Sequence, residues 1–148
     1  MKLKLLRPVP SIFKISSPFG KTRSLTIDGK PVEGMHKGVD FAVPLGTPIT
    51  ACYDGKVVRS GWENPHVPKQ GFGMRIMQRI LYEKEVFYLF YGHCSLLLVN
   101  PDQEIKKGQI IAKSGNTGSS TGPHLHIGAR KDDTGIFYDM DFYEENTV

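Results

Sequence analysis

Two short spacings in this 148-residue chain bring together side chains able to hold a metal ion or carry a proton. His36 and Asp40 are four residues apart, and His124 and His126 are two apart. On a β-strand, positions separated by two or four residues share a face, and Val39-Asp40-Phe41-Ala42-Val43 has strand composition. Both imidazoles of His124-Leu125-His126 then point one way while Leu125 faces the opposite layer. Two histidines and one aspartate supply three nitrogen and oxygen ligands for zinc at about 2.0 to 2.2 Å, with a fourth position open to water, the pattern of a catalytic rather than a structural site. Such an ion lowers the pKa of water toward ~7 and polarises a carbonyl, while a spare imidazole moves protons. His93, in Phe90-Tyr91-Gly92-His93, is a candidate for that second duty. His66, flanked by Pro65 and Pro68, reads as a polar loop residue rather than a ligand.

The elements that must position these groups are short strands. Apolar runs cut by Gly or Pro occur at Val39–Val43, Ile49–Cys52, Lys56–Val58, Met74–Leu81, Val86–Tyr91, Ile110–Ala112 and His124–Ala129. No apolar stripe of helical period persists over three turns, so helix is a minor component, with a single turn expected around Ser95–Asn100. The first thirty residues read as a loop-rich approach segment, with a turn at Ser16–Lys21 and a hairpin turn at Asp28-Gly29-Lys30-Pro31. Two glycine-bounded pieces, Gly46–Gly55 and Gly108–Gly115, resemble halves of a duplicated barrel. Glu63–Gly73 is a long loop expected to border a groove, and Ser114–Gly122 a groove wall whose amides align an extended peptide. Gly92 and Gly128 are either sites of close backbone approach or ordinary strand-end glycines.

Composition bounds the class. The length suits one domain over residues 1–148, and hydrophobic residues at 39% suffice for a core. The longest apolar run, Val86–Tyr91, is far short of the ~20 residues of a membrane-spanning helix, so no membrane insertion is expected. Lys4, Arg7, Pro8 and Pro10 interrupt the start, which therefore does not read as a signal peptide. Cys52 and Cys94 lack metal-site or redox spacing and read as free thiols in or near the core. Residues 132–148 form an acidic tail with six acids and no Lys or Arg, which leaves the preceding residues a net +10. A body that basic is drawn to polyanions such as a bacterial wall, yet no nucleic-acid motif or aromatic-basic platform appears.

In order, Ser17-Pro18-Phe19-Gly20, His36-Lys37-Gly38-Val39-Asp40-Phe41, Gly46-Thr47-Pro48-Ile49, Asp54-Gly55-Lys56-Val57-Val58, Tyr91-Gly92-His93, Ile105–Gln109 and the Gly-rich run from Gly115 through Pro123-His124-Leu125-His126 resemble the lysostaphin-type (LytM-like) zinc metallopeptidases, over about residues 16–130. That resemblance implies His36, Asp40 and His126 as metal ligands for one Zn2+ per chain, with His93 and His124 as the catalytic pair. It also implies a mainly β fold, a compact antiparallel barrel-sandwich with a loop-walled groove. The implied substrate is the peptide cross-link of bacterial peptidoglycan. A monomeric catalytic domain is expected, made in the cytoplasm and reaching the wall by another agency, as a phage lysis or virion enzyme does. Two rivals are an inactive LytM-like module that activates another wall hydrolase and a barrel-sandwich carrier that transfers phosphate on a histidine. Only the peptidase requires about one zinc per chain.

Overall fold

The structure, a computed structural model, describes residues 1–27 and 30–144. Among them the chain forms only strands: β1 (Lys2–Leu6), β2 (Ile15–Ser17), β3 (Thr22–Ile27), β4 (Lys30–Met35), β5 (Val39–Phe41), β6 (Pro48–Thr50), β7 (Gly55–Trp62), β8 (Met74–Tyr82), β9 (Glu85–Leu97), β10 (Glu104–Ile105), β11 (Ile110–Ser114), β12 (Leu125–Lys131) and β13 (Asp139–Tyr143). The expected mainly β, antiparallel architecture is present, and each apolar run read as a strand contributes to one. The turn expected around Ser95–Asn100 is not helical, because β9 runs on through Leu97 and pairs there with β11. Asp28 and Gly29 lie outside the described residues, but the strands beside them pair antiparallel with Ile27 opposite Lys30.

Period-two patterning builds the main sheet, whose path runs β10-β7-β8-β9-β12-β5-β2. On β8, Ile76, Gln78, Ile80 and Tyr82 are buried, whereas Arg79 and Leu81 between them are exposed. The β8–β9 hairpin turns on Glu83 and Lys84, both at positive φ (48° and 69°), as a tight two-residue connection between twisted strands requires. The two glycine-bounded pieces prove to be partners: β6 and β11 pair antiparallel, with Ile110 opposite Thr50 and Lys113 opposite Pro48.

Strand β9 changes neighbour partway along, and this positions the site. Residues 87–92 pair with β12, while residues 94–97 pair with β11. His93 sits at the changeover with φ 63°, beside a register shift against β8. A bulge of this kind bends the strand and re-aims the side chain at the bend.

Among the described residues, strands near both ends belong to the fold: the start is not only loop, and part of the acidic tail lies in β13. β1 pairs in parallel with β13, burying Leu3, Leu5 and Met140, and Lys2 reaches Asp139 and Asp141 at 3.4 and 3.6 Å. Apolar burial makes this contact, and the exposed ion pairs add little. Cys52 and Cys94 are buried free thiols, as expected, and burial pushes each up to about 12.

A buried polar chain ties β9 to its neighbours. The Tyr91 hydroxyl donates to Gln78 Oε1 at 2.6 Å and accepts from the Cys52 amide at 3.0 Å, while Gln78 Nε2 donates to the Tyr53 carbonyl at 2.7 Å. Tyr91→Phe would leave an acceptor and a donor unpaired in the core, each costing about 1 to 3 kcal/mol. We expect a lower urea midpoint with an unchanged slope; equal midpoints for the two proteins would show the chain to be dispensable.

Candidate metal centre

Strand register, more than local spacing, assembles the site. Asp40 in β5 stands directly opposite His126 in β12, so residues 86 apart in sequence share one face. His36 follows β4 and is held by its backbone, with Gly20 N donating to its carbonyl and its own amide donating to Lys21. His36 Nε2 lies 3.3 Å from His126 Nδ1 and 3.4 Å from Asp40 Oδ1, and His126 Nδ1 lies 2.7 Å from Asp40 Oδ1. Among the described residues this is the one group of three such donors that converges.

Second contacts orient the converging atoms. His36 Nδ1–H donates to the Pro18 carbonyl at 3.0 Å, with Ser17 Oγ 3.3 Å away, which leaves the Nε2 lone pair facing Asp40. Gly38 packs against the His126 ring: a Cβ there would lie 2.4 Å from the Ile127 carbonyl and 2.5 Å from His126 Cε1 and Nε2. The third position of His-x-Gly-x-Asp therefore needs glycine to keep the His126 ring in place. Gly92 likewise admits Phe72, whose Cδ1 would be 2.7 Å from an added Cβ, so it is a site of close approach.

His93 and His124 stand over the same centre, with ring centroids 4.6 Å apart. Each has Nδ1 engaged by a backbone carbonyl, His93 to Thr117 at 2.6 Å and His124 to Gly122 at 2.9 Å. That fixes the proton on Nδ1 in both rings and leaves Nε2 to work in the site. His124 Nε2 is 4.0 Å from Asp40 Oδ1. His66, as expected, is exposed in the loop after β7, away from the group.

Sequence reasoning missed the parts that hold His93. Phe72 accepts the His93 amide at 2.7 Å through its carbonyl. Thr117 Oγ1 donates to the Cys94 carbonyl at 2.7 Å and accepts from Met74 N at 3.2 Å. The 63–73 loop and the Gly-rich run are joined directly, since Gly118 N donates to Pro68 and Ser119 N to Gly71. Those two amides brace the groove wall and are not free to align a peptide, which corrects that part of the expectation.

Burial and charge set the protonation. Burial works to raise the Asp40 pKa, but hydrogen bonds and charge from His126 and His36 outweigh it and hold the carboxyl well below the usual range. Burial drives His126 down, and it pushes His93 down to about 4 against the raising effect of the Thr117 carbonyl. In metal-free protein the unfolded chain takes up the His93 proton near pH 6.5 and the folded chain only near 4. The ring's contribution is therefore full above about pH 6.5 and lost as pH falls through 4, on the order of 3 kcal/mol. Denaturant midpoints of chelator-treated protein should fall from pH 7 to 5.5 to 4. A flat profile would show that His93 is not buried as a neutral ring.

The donor set fits zinc. Bonds of about 2.0 to 2.2 Å in a tetrahedron separate ligand atoms by roughly 3.3 to 3.6 Å, and two of the three donor separations already lie at or near that span. The third is a hydrogen-bond distance, bridged by a proton that a cation would displace.

Comparison with known proteins agrees with this geometry. Residues 34–137 match the model of peptidase family M23. The chain is 36% identical over 119 residues to the peptidoglycan DD-endopeptidase ShyA of Vibrio cholerae, covering 80% of this chain and 25% of that protein. It superposes on the catalytic domain of the antimicrobial peptidase lysostaphin from Staphylococcus simulans with a TM-score of 0.70 and 35% identity, over 86% of this chain and 89% of that one. A zinc-containing peptidase from Vibrio cholerae matches with a TM-score of 0.72 and 31% identity, over 92% of this chain and 39% of that one. The chain spans about a quarter or less of the length of the curated relatives it matches first. With His36, Asp40, His93, His124 and His126 all falling inside the matched span, the chain belongs to peptidase family M23.

Proposed function

We propose that this chain is a zinc-dependent endopeptidase that hydrolyses peptide cross-links of bacterial peptidoglycan, acting as a monomeric catalytic domain. The observation that carries the reading is the convergence of His36 Nε2, Asp40 Oδ1 and His126 Nδ1 within 3.4 Å of one another beneath two further imidazoles. His36, Asp40 and His126 are the residues that would hold the ion. When bound, zinc supplies Lewis acidity toward a scissile carbonyl and makes water more acidic. His93, kept neutral by burial and protonated on Nδ1, presents Nε2 as the base that takes the attacking water's proton. His124, held through Gly122 and Ser120, has its ring beside that of His93 and presents its own Nε2 as an acceptor placed to relay that proton. Return of the proton to the leaving amine completes hydrolysis.

The peptidoglycan DD-endopeptidase among its relatives and the antimicrobial peptidase among its structural neighbours support the substrate class. A net +10 ahead of the last 17 residues suits action on an anionic wall and deployment as a lysis or virion enzyme. All three ligand positions are filled, which favours an enzyme over an inactive activator module. Digestion of purified walls of several cross-link chemistries, with fragments weighed by mass spectrometry, tests the proposal. Chelator-sensitive release of cross-link fragments is the expected result; intact walls from every source would refute it.

A further inference from the structure

The face of the sheet that carries the metal group continues beyond it. On β12, His126, Gly128 and Arg130 alternate onto the side opposite the core residues Leu125, Ile127 and Ala129. Arg130 stands opposite Tyr88 of β9, Tyr88 opposite Arg79 of β8, and Arg79 opposite Lys56 of β7, so cations recur in one row across four strands. The Arg130 guanidinium lies over two rings, 5.0 Å from Phe90 and 5.6 Å from Tyr88. Phe90 stacks on Phe72 at 5.4 Å and 13°, and Phe72 is 5.4 Å from the His126 ring. An aromatic ridge thus links the metal group to an ordered guanidinium.

Among the described residues, no carboxylate lies within ion-pair distance of Arg130, Arg79 or Lys56, although Glu104 of β10 stands opposite Lys56 at the end of the row, whereas neighbouring Lys131 is taken by Glu85 and Asp133. An arginine laid flat on aromatic faces keeps a planar donor fork at its edge, and that fork matches a carboxylate. From His126 to Arg130 the strand advances about 13 Å with the Phe137 ring lying over Gly128 between them, and an extended peptide passing over that ring covers the span in about four residues at ~3.3 to 3.6 Å each.

We propose that Arg130 is a specificity-determining residue that binds a carboxylate carried by the substrate peptide three to four residues from the scissile bond, with Arg79 and Lys56 extending the same cationic row. The inference rests on the peptidase reading above. An anion on the strand being cut is favoured over a separate polymer because Arg130 lies on the same strand and face as His126, four residues along it, while the row itself runs off across the sheet.

The test compares synthetic peptides that differ only in Glu or Gln at positions three and four from the cleaved bond. Zinc-loaded wild-type protein should prefer the Glu peptides by roughly ten- to hundredfold in kcat/KM, expressed through KM. Arg130→Gln should erase that preference without slowing cleavage of the Gln peptides, and Arg130→Lys should retain part of it. No preference in the wild type, or an equal loss on both peptides in Arg130→Gln, overturns the proposal. Should the protein cleave none of them, the peptidase reading fails, and calorimetry decides this inference separately. Tighter binding of Glu peptides by wild type than by Arg130→Gln supports it, and equal or absent binding overturns it.

Discussion

Asp40→Ala is expected to abolish both metal retention and hydrolysis. Asp40 Oδ1 is the anionic member of the donor group and touches both of its imidazoles, at 2.7 Å to His126 Nδ1 and 3.4 Å to His36 Nε2. If a zinc site's affinity of ~10 to 16 kcal/mol is shared among its ligands, one donor accounts for roughly 3 kcal/mol, or a few-hundredfold in Kd. The loss should exceed that figure, because removing the carboxylate also frees the His126 ring it orients. Zinc content after gel filtration should fall from about one per chain to near zero, with no detectable wall digestion. Circular dichroism should still report a β fold, since Leu125, Ile127 and Phe41 around the site stay buried without the carboxylate. An Asp40→Ala protein that kept a full zinc complement would mean that other residues hold the ion.

The pieces of this site were legible in the sequence because each is local. Asp40 and His126 lie in β5 and β12, where strands are expected, and His124 is bridged in extended form just before β12; His36, by contrast, lies in the connection between β4 and β5, so no strand period places it beside Asp40. What joins the pieces is the register of β5 against β12, a pairing across 86 residues that no window of sequence contains; only the ordered set of family-like blocks pointed to it. Phe72, Thr117 and Gly38 escaped because their roles come from contacts between distant segments: Thr117 matters where its carbonyl meets His93, and Gly38 where the His126 ring crosses it. A signal for Gly38 was present, the small residue inside His-x-Gly-x-Asp. At the two ends, charge obscured a strand pair. Lys2-Leu3-Lys4-Leu5 alternates as a half-buried strand should, yet its lysines invited comparison with a leader, and the acids that face them at Asp139 and Asp141 were read as an acidic tail. The Ser95–Asn100 turn failed for a related reason, since the partner that keeps β9 extended to Leu97 is β11, supplied from later in the chain.

His93→Ala is expected to separate chemistry from metal binding. The ring's Nδ1 is spent on the Thr117 carbonyl, and His93 is not among the converging donors, so its removal should leave zinc at about one per chain. Turnover should fall by roughly 10²- to 10⁴-fold, the usual contribution of a positioned general base, with the loss in kcat rather than KM. Truncation also leaves the Thr117 carbonyl without its donor, so a stability loss of about 1 to 3 kcal/mol should accompany it. Thr117 Oγ1 still ties the loop to Cys94 and Met74, which should keep the groove wall in place and the assay interpretable at 25 °C. Full activity in the His93→Ala protein would remove the base role; loss of zinc would place His93 among the ligands.

The central claim is that two imidazoles and one carboxylate, drawn from three separate segments, grip a single zinc ion. The X-ray absorption spectrum of the zinc-loaded protein addresses it most directly. The expected result is a first shell of nitrogen and oxygen only, near 2.0 to 2.1 Å, with outer-shell scattering from two imidazoles. Sulfur at about 2.3 Å, or imidazole scattering that survives unchanged in a His36→Ala, His126→Ala double variant, would contradict it.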